Sequence, residues 1–134
     1  MATWDDVRRI AATLPHTEQT LRWDNITWAV ANPRRPAAKS KGYVWERPLR
    51  KRDLEELGTD APDGPILAAR TADIGVRDAL VADDPAVYFT IAHFAGFAAV
   101  LVRLDVIDAA ELEELITEAW LSQASPALKA EFLG

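Results

Sequence analysis

The sequence predicts a single α+β domain over residues 1–134, an antiparallel β-sheet packed against N- and C-terminal helices. Three observations lead there. Amphipathic helices open and close the chain. Between them lie short runs rich in β-branched and aromatic residues. Most of those runs are joined by connections short enough for antiparallel neighbours. The length suits one ordinary domain without covalent staples, and 49% hydrophobic with 27% charged residues is a globular balance.

Each element has its own signal. Thr3 is a capping residue with Asp6 three positions on, the pattern of a capping box. Val7, Ile10, Ala11 and Leu14 then recur at i, i+3, i+4 and i+7, so a helix is expected over about 4–14, ended by Pro15. NITWAVA (25–31) predicts a strand, and NPRRPAAKSKG (32–42) a long cationic loop. YVWERP (43–48) predicts a second strand stopped at Pro48, and LRKRDLEELG (49–58) a short helix that Gly58 ends. TDAPDGP is a turn cluster, ILAARTA (66–72) a third strand, and 76–85 a helix with Val76, Ala79 and Leu80 as apolar positions. Two further strands, 87–92 and 98–106, flank the bend HFAGF. Asp108 with Glu111 marks the start of the last long helix, whose buried face is Leu112, Leu115, Ile116, Ala119 and Trp120. Ser125-Pro126 breaks the chain and PALKAEFL closes it. Helices on one face of such a sheet leave the other face to water, where a partner could sit.

Composition narrows the function classes. The absence of cysteine removes disulfides, thiolate metal sites and a cysteine nucleophile, and fits a reducing compartment. No apolar run approaches the ~18 residues that span a bilayer. MATWDDVRRI lacks the apolar stretch of a signal peptide, so a cytoplasmic location is expected. The net charge of −6 argues against indiscriminate binding to nucleic acid. Its distribution does not. Arg34, Arg35, Lys39, Lys41, Arg47, Arg50, Lys51 and Arg52 are eight of the 15 basic residues and share residues 34–52 with one acid, Glu46. That segment carries +7, and the remainder, seven bases against 20 acids, carries −13. Such asymmetry points to a local anionic partner, or to a solvated cationic face that balances an acidic protein.

The catalytic inventory is thin. There is no nucleophile elbow, no phosphate-binding glycine loop and no G-x-G-x-x-G. His16 and His93 are far apart and have no metal-ligand spacing, so no metal and no cofactor is expected. The acid pairs Asp5-Asp6, Glu55-Glu56, Asp83-Asp84 and Glu113-Glu114 read as surface residues, because sequence neighbours do not face each other on a helix. Of the five tryptophans, Trp28 and Trp45 lie on strands beside the basic loop. Core packing is the ordinary use of such residues, and an aromatic surface shared with cations is the other.

Residues 87–104, VYFTIAHFAGFAAVLVRL, resemble the signature of the MmcQ/YjbR family, roughly F-x-T-x-x-H-[FY]-x-G-[FY]-x-x-V-x-V-x-L. Phe89, Thr90, His93, Phe94, Gly96, Phe97, Val100, Val102 and Leu104 fall on it. TWDDVRRIAATLP, WAV followed by KGYVWERPL, ADDPAVYF and the C-terminal segment are similar to the family as well. Two departures stand out: the central hairpin loop ANPRRPAAKSKG is longer and more basic, and Ala98 replaces the usual proline. The resemblance implies a CyaY-like fold. It also implies, through similarity to double-wing proteins, a DNA-binding label with no catalytic reaction attached.

Two readings follow. In the first, a non-enzymatic DNA-binding module contacts the phosphates of double-stranded DNA, weakly and salt-dependently. Arg34, Arg35, Lys39 and Lys41 would act from the loop, and Arg47, Arg50, Lys51 and Arg52 would extend the footprint. In the second, His93, Arg103, Trp28 and Trp45 form a ligand or partner face on the open side of the sheet. Arg103 alternates with Val102 and Leu104 and so projects opposite to them. His93 either holds the bend, by donating to a backbone carbonyl beside a positive φ at Gly96, or contacts a ligand.

Overall fold

In the computed structural model, which describes residues 1–134, the first helix begins as its sequence dictates. The Thr3 hydroxyl accepts from the Asp6 amide at 3.3 Å and the Asp6 carboxylate accepts from the Thr3 amide at 2.9 Å, closing the capping box. Helix α1 spans Trp4–Ala12, and Val7, Ile10, Ala11 and the following Leu14 are all buried. A buried aliphatic side chain of this size contributes about 1.5–3 kcal/mol.

Six strands form one antiparallel sheet: β1 Thr17–Arg22, β2 Asn25–Val30, β3 Lys41–Glu46, β4 Ile66–Arg70, β5 Tyr88–Phe89 and β6 Ala99–Arg103, in the order β1-β2-β3-β4-β6-β5. Strand β1 is new relative to the sequence expectation, which places no element between Pro15 and Asn25. TEQTLR carries no alternation of apolar residues because it is an edge strand with no buried position. The turn joining it to β2 was equally hidden. Trp23 and Asp24 both have positive φ, 54° and 63°, the backbone of a two-residue hairpin turn usually signalled by Asn-Gly. Strand β5 is far shorter than expected. After Phe89 the chain enters a 3-10 turn, Ala92–Phe94, and the Ala92 amide donates to the Glu56 carboxylate instead of to a neighbouring strand.

A bulge between β2 and β3 sorts the side chains. Trp28 faces Val44 and Ala29 faces Gly42, leaving Tyr43 as the extra residue. Tyr43 and Val44 therefore both join the main core, while Gly42 and Trp45 face the other side. The main core lies between the sheet and the helices α1 and α4 (Ala109–Gln123), with Trp28, Leu67, Val100 and Val102 meeting Ile116 and Trp120. The Trp120 indole donates to the Pro15 carbonyl at 3.0 Å, tying the two terminal helical segments together. Asp108 caps α4 by accepting from the Glu111 amide at 2.8 Å. The Glu111 carboxylate turns to the Tyr88 hydroxyl at 2.6 Å. Ser125 caps the closing helix α5, Pro126–Leu133.

The second face of the sheet is not left wholly to water. Ile66, Ala68, Phe89, Ile91, Phe94, Ala99 and Leu101 form a smaller cluster there, under Leu49 and Leu57 at the ends of the short helix α2, Lys51–Leu57. Gly58 follows α2 with φ 56°, the conformation a glycine stop supplies. Helix α3 spans Ile74–Asp83, and its apolar reading needs correction: Val76 and Ala79 are exposed, Leu80 is half-buried, and the buried residue is Arg77. No helix is long and apolar enough to cross a membrane.

Candidate functional site: an arginine and aromatic concavity

On the second face, between the β1–β2 turn and the HFAGF bend, the sheet forms a concavity of about 530 Å³. Arg22, Arg47, Arg50 and Arg70 line it, with Trp23, Trp45, Phe94, Phe97 and His93, and no acidic residue does. Strand alternation explains the composition. Arg22 and Asn25 pair across the hairpin, Thr27 faces Trp45, and Arg70 follows Ile66 and Ala68 on the same side of β4. Gly42 keeps the floor low: a Cβ there would lie 3.1 Å from Thr27 Cγ2 and 3.3 Å from Arg22 Nη1.

The aromatic rings form one cluster. Trp45 lies 6.5 Å from Phe94 and 6.2 Å from Phe97, and Phe94 meets Phe97 edge-on at 5.5 Å. Arg70 sits over the Phe97 ring at 4.4 Å, and its Nε donates to the Ala98 carbonyl at 3.1 Å. Burial pulls the Arg70 pKa below the usual arginine value. Arg22 donates to the Ser40 carbonyl and hydroxyl, both at 2.9 Å, and the Ser40 hydroxyl donates in turn to Glu18. Neither arginine has a carboxylate within ion-pair distance.

The sequence-predicted site residues separate into groups. Arg34, Arg35 and Lys39 are exposed on the loop before β3, which makes tight turns at Asn32–Arg35 and Arg35–Ala38, and Lys41 is exposed at the start of β3. Arg50, Lys51 and Arg52 are exposed where α2 begins, beyond the other end of β3, roughly 20 Å of strand away. The cations of 34–52 are thus not one continuous wing. Arg47 does not extend an open phosphate footprint: its side chain is 7% exposed and pairs with Asp53, 6% exposed, at 3.2 Å. It also donates to the Pro48 carbonyl and stands 5.7 Å from the Phe94 ring. Arg50 and His93 also line a neighbouring depression, together with Arg52 and the acids Asp53 and Glu56.

Of the four residues expected on the second face, Trp45 and His93 line the concavity. Arg103 lies on that face but away from the concavity. It covers the Phe89 ring at 4.5 Å and donates to the carbonyls of Pro85 and Asp60, both at 3.2 Å. Trp28 belongs to the opposite side, 2% exposed and stacked on Trp4 at 6.4 Å. His93 is exposed, leans on Phe94 at 5.9 Å and makes no side-chain hydrogen bond, so it does not hold the bend. Gly96 does not have positive φ, and a Cβ there would meet nothing. The bend is held by buried Arg77, whose Nη1 donates to the carbonyls of Phe94 at 2.7 Å, Phe97 at 3.2 Å and Ala95 at 3.4 Å.

Sequence reasoning missed Arg22, Trp23, Arg70 and Arg77. Arg70 had a signal, alternation with Ile66 and Ala68. Arg22 and Trp23 had none without β1.

Comparison with known proteins agrees with this architecture. The YjbR family model matches residues 12–122. The chain is 50% identical over 136 residues to uncharacterized protein Rv2570 of Mycobacterium tuberculosis and, equally, to uncharacterized protein Mb2600 of Mycobacterium bovis. Each match covers 99% of this chain and 97% of the relative. The crystal structure of Deinococcus radiodurans protein DR2400, a DUF419 domain, superposes with a TM-score of 0.69 at 23% identity, covering 98% of this chain and 88% of that one.

Proposed function

The chain belongs to the YjbR family, and we propose that it is a non-catalytic domain that binds double-stranded DNA weakly through the cationic rim of the concavity. One observation carries the reading. In a protein of net charge −6, Arg50, Lys51 and Arg52 stand exposed and without carboxylate partners beside a concavity that four arginines line and no acid enters. Cations so placed hold phosphates, which give affinity and position without sequence preference. The acidic remainder of the molecule repels a duplex and restricts the approach to this side. Arg34, Arg35, Lys39 and Lys41, at the far end of β3, can reach a second stretch of backbone. The case for a non-catalytic role is chemical: His93 has neither a carboxylate nor a nucleophile bonded to it, and the aromatic floor offers no acid–base pair.

The test is fluorescence anisotropy of a labelled random-sequence duplex at about 50 and about 200 mM salt. Three to five phosphate contacts give a log–log salt slope of roughly −3 to −5. The charge-reversal variant Arg50→Glu, Lys51→Glu, Arg52→Glu is expected to lose binding. Equal binding by that variant, or none by the wild type at the lower salt, overturns the proposal.

A further inference from the structure

We infer that the floor of the concavity is a site for one nucleotide unit, an aromatic base carrying a phosphate monoester, held by Arg22 and Arg70 over the Trp45 and Phe97 rings. The inference is distinct from duplex binding, which uses the exposed cations at 50–52; of those three only Arg50 also borders the concavity.

The first support is uncompensated charge. Arg22 and Arg70 are half-buried, line the same cavity and have no carboxylate partner. Taking a cation out of water is costly unless an anion meets it, and Arg70 is withdrawn enough for burial to lower its pKa. Elsewhere in the protein buried Arg47 has Asp53, and buried Arg77 has Asp78 and three carbonyls. Arg22 reaches a carboxylate only through the Ser40 hydroxyl. Two guanidinium groups facing one cavity call for about two negative charges, which a phosphate monoester carries and a single carboxylate does not.

The second support is shape. A cavity of about 530 Å³ falls in the range that encloses small ligands. Trp45 and Phe97, backed by the buried Phe94, offer apolar ring surface to a planar group, and Asn25, Thr27 and His93 add polar atoms around it. Trp23, 92% exposed at the hairpin tip and held at positive φ, borders the same cavity and can close over a bound ring. Gly42 leaves depth where any side chain would press on Thr27 and Arg22.

Free mononucleotides and single-stranded DNA present the same unit, and the experiment separates them. Tryptophan fluorescence and isothermal calorimetry on the full chain would compare AMP, CMP, adenosine, inorganic phosphate and an oligothymidine. The expected result is that AMP or CMP binds at least about tenfold more tightly than adenosine and than inorganic phosphate, because ring and phosphate are both read. Oligothymidine binding more tightly than the monophosphates assigns the site to single strands; the reverse assigns it to free nucleotides. Arg22→Gln and Arg70→Gln, each confirmed folded by circular dichroism, are each expected to weaken the monophosphate at least about tenfold. Equal binding of AMP and adenosine overturns the inference in the wild type alone, whatever happens to the variants. Absence of binding by every nucleotide tested, or unchanged affinity in either folded variant, overturns it as well. The duplex reading fails separately, on the variant at residues 50–52.

Discussion

Replacing Arg77 by alanine is expected to destabilise the protein by about 2–4 kcal/mol, although Arg77 touches neither DNA nor nucleotide in either proposal. Its Nη1 faces three carbonyls of the bend, two at hydrogen-bonding distances of 2.7 and 3.2 Å and a third at the 3.4 Å limit. Hydrogen bonds to a charged donor contribute about 1.5–3 kcal/mol each, and water reaching the carbonyls of the exposed Ala95 and Phe97 restores part of the loss. The partner Asp78 is largely exposed, so that ion pair adds little. For a domain of this length the change lowers Tm by roughly 6–15 °C. Urea denaturation followed by circular dichroism would read it as a lower midpoint at unchanged slope. His93→Ala is the control: an exposed side chain without hydrogen bonds should stay within about 0.5 kcal/mol of wild type. Arg77→Lys, which keeps the charge but not the planar fork, should fall between the two. If His93→Ala costs as much as Arg77→Ala, or Arg77→Ala costs less than about 0.5 kcal/mol, the assignment of the bend to Arg77 is wrong.

Breaking the buried Arg47–Asp53 pair with Asp53→Ala should cost about 3–5 kcal/mol in denaturation, and the double variant Arg47→Met, Asp53→Leu should recover most of it. Asp24→Gly, at φ 63° in the hairpin turn, should stabilise by about 0.5–1 kcal/mol; destabilisation would show that the turn is not built as described. Both tyrosines of the chain should resist ionisation. Burial pushes Tyr43 up to about 12, and burial together with the Glu111 carboxylate pushes Tyr88 up. A raised folded-state pKa means stability fully present below the unfolded value near 10 and lost as pH rises above it. Absorbance at alkaline pH should therefore show tyrosinate appearing together with unfolding, and ionisation near pH 10 in the folded protein would contradict the burial of both.

The fold was legible wherever burial imposes a period. The α1 stripe, the α4 face and the β6 run each place apolar residues against the main core, and all three were readable. Legibility failed where no side chain is buried or where a charged one is. Strand β1 has no buried position, so its sequence resembles a loop. Helix α3 buries an arginine, so its exposed Val76 and Ala79 suggested a stripe that does not exist. The site was half legible for the same reason. Cations are dense along 34–52, yet the concavity takes Arg22 and Arg70 from strands that reach it only through sheet pairing. His93 is conspicuous as one of two histidines, while the bonding that shapes its bend comes from α3.

The choice of cation follows burial more closely than position in the sequence. The four lysines, Lys39, Lys41, Lys51 and Lys129, are all exposed. Arg22, Arg47, Arg70, Arg77 and Arg103 are buried or half-buried, and three of them stand over phenylalanine rings. A guanidinium is weakly hydrated, planar and able to donate sideways to carbonyls while its face rests on a ring; an ammonium is strongly hydrated and can do neither well. Arg103 and Arg77 spend that capacity on backbone carbonyls and Arg47 on Asp53; Arg22 and Arg70 also donate to one backbone carbonyl each, but they line the cavity without a carboxylate partner. Lysine at either of those two positions would carry the same charge, but its head would seek water rather than stay over the aromatic floor. The concavity is therefore not a general basic patch: its cations are all arginines, Arg47 and Arg70 among them held against rings, and the exposed lysines belong to its surroundings.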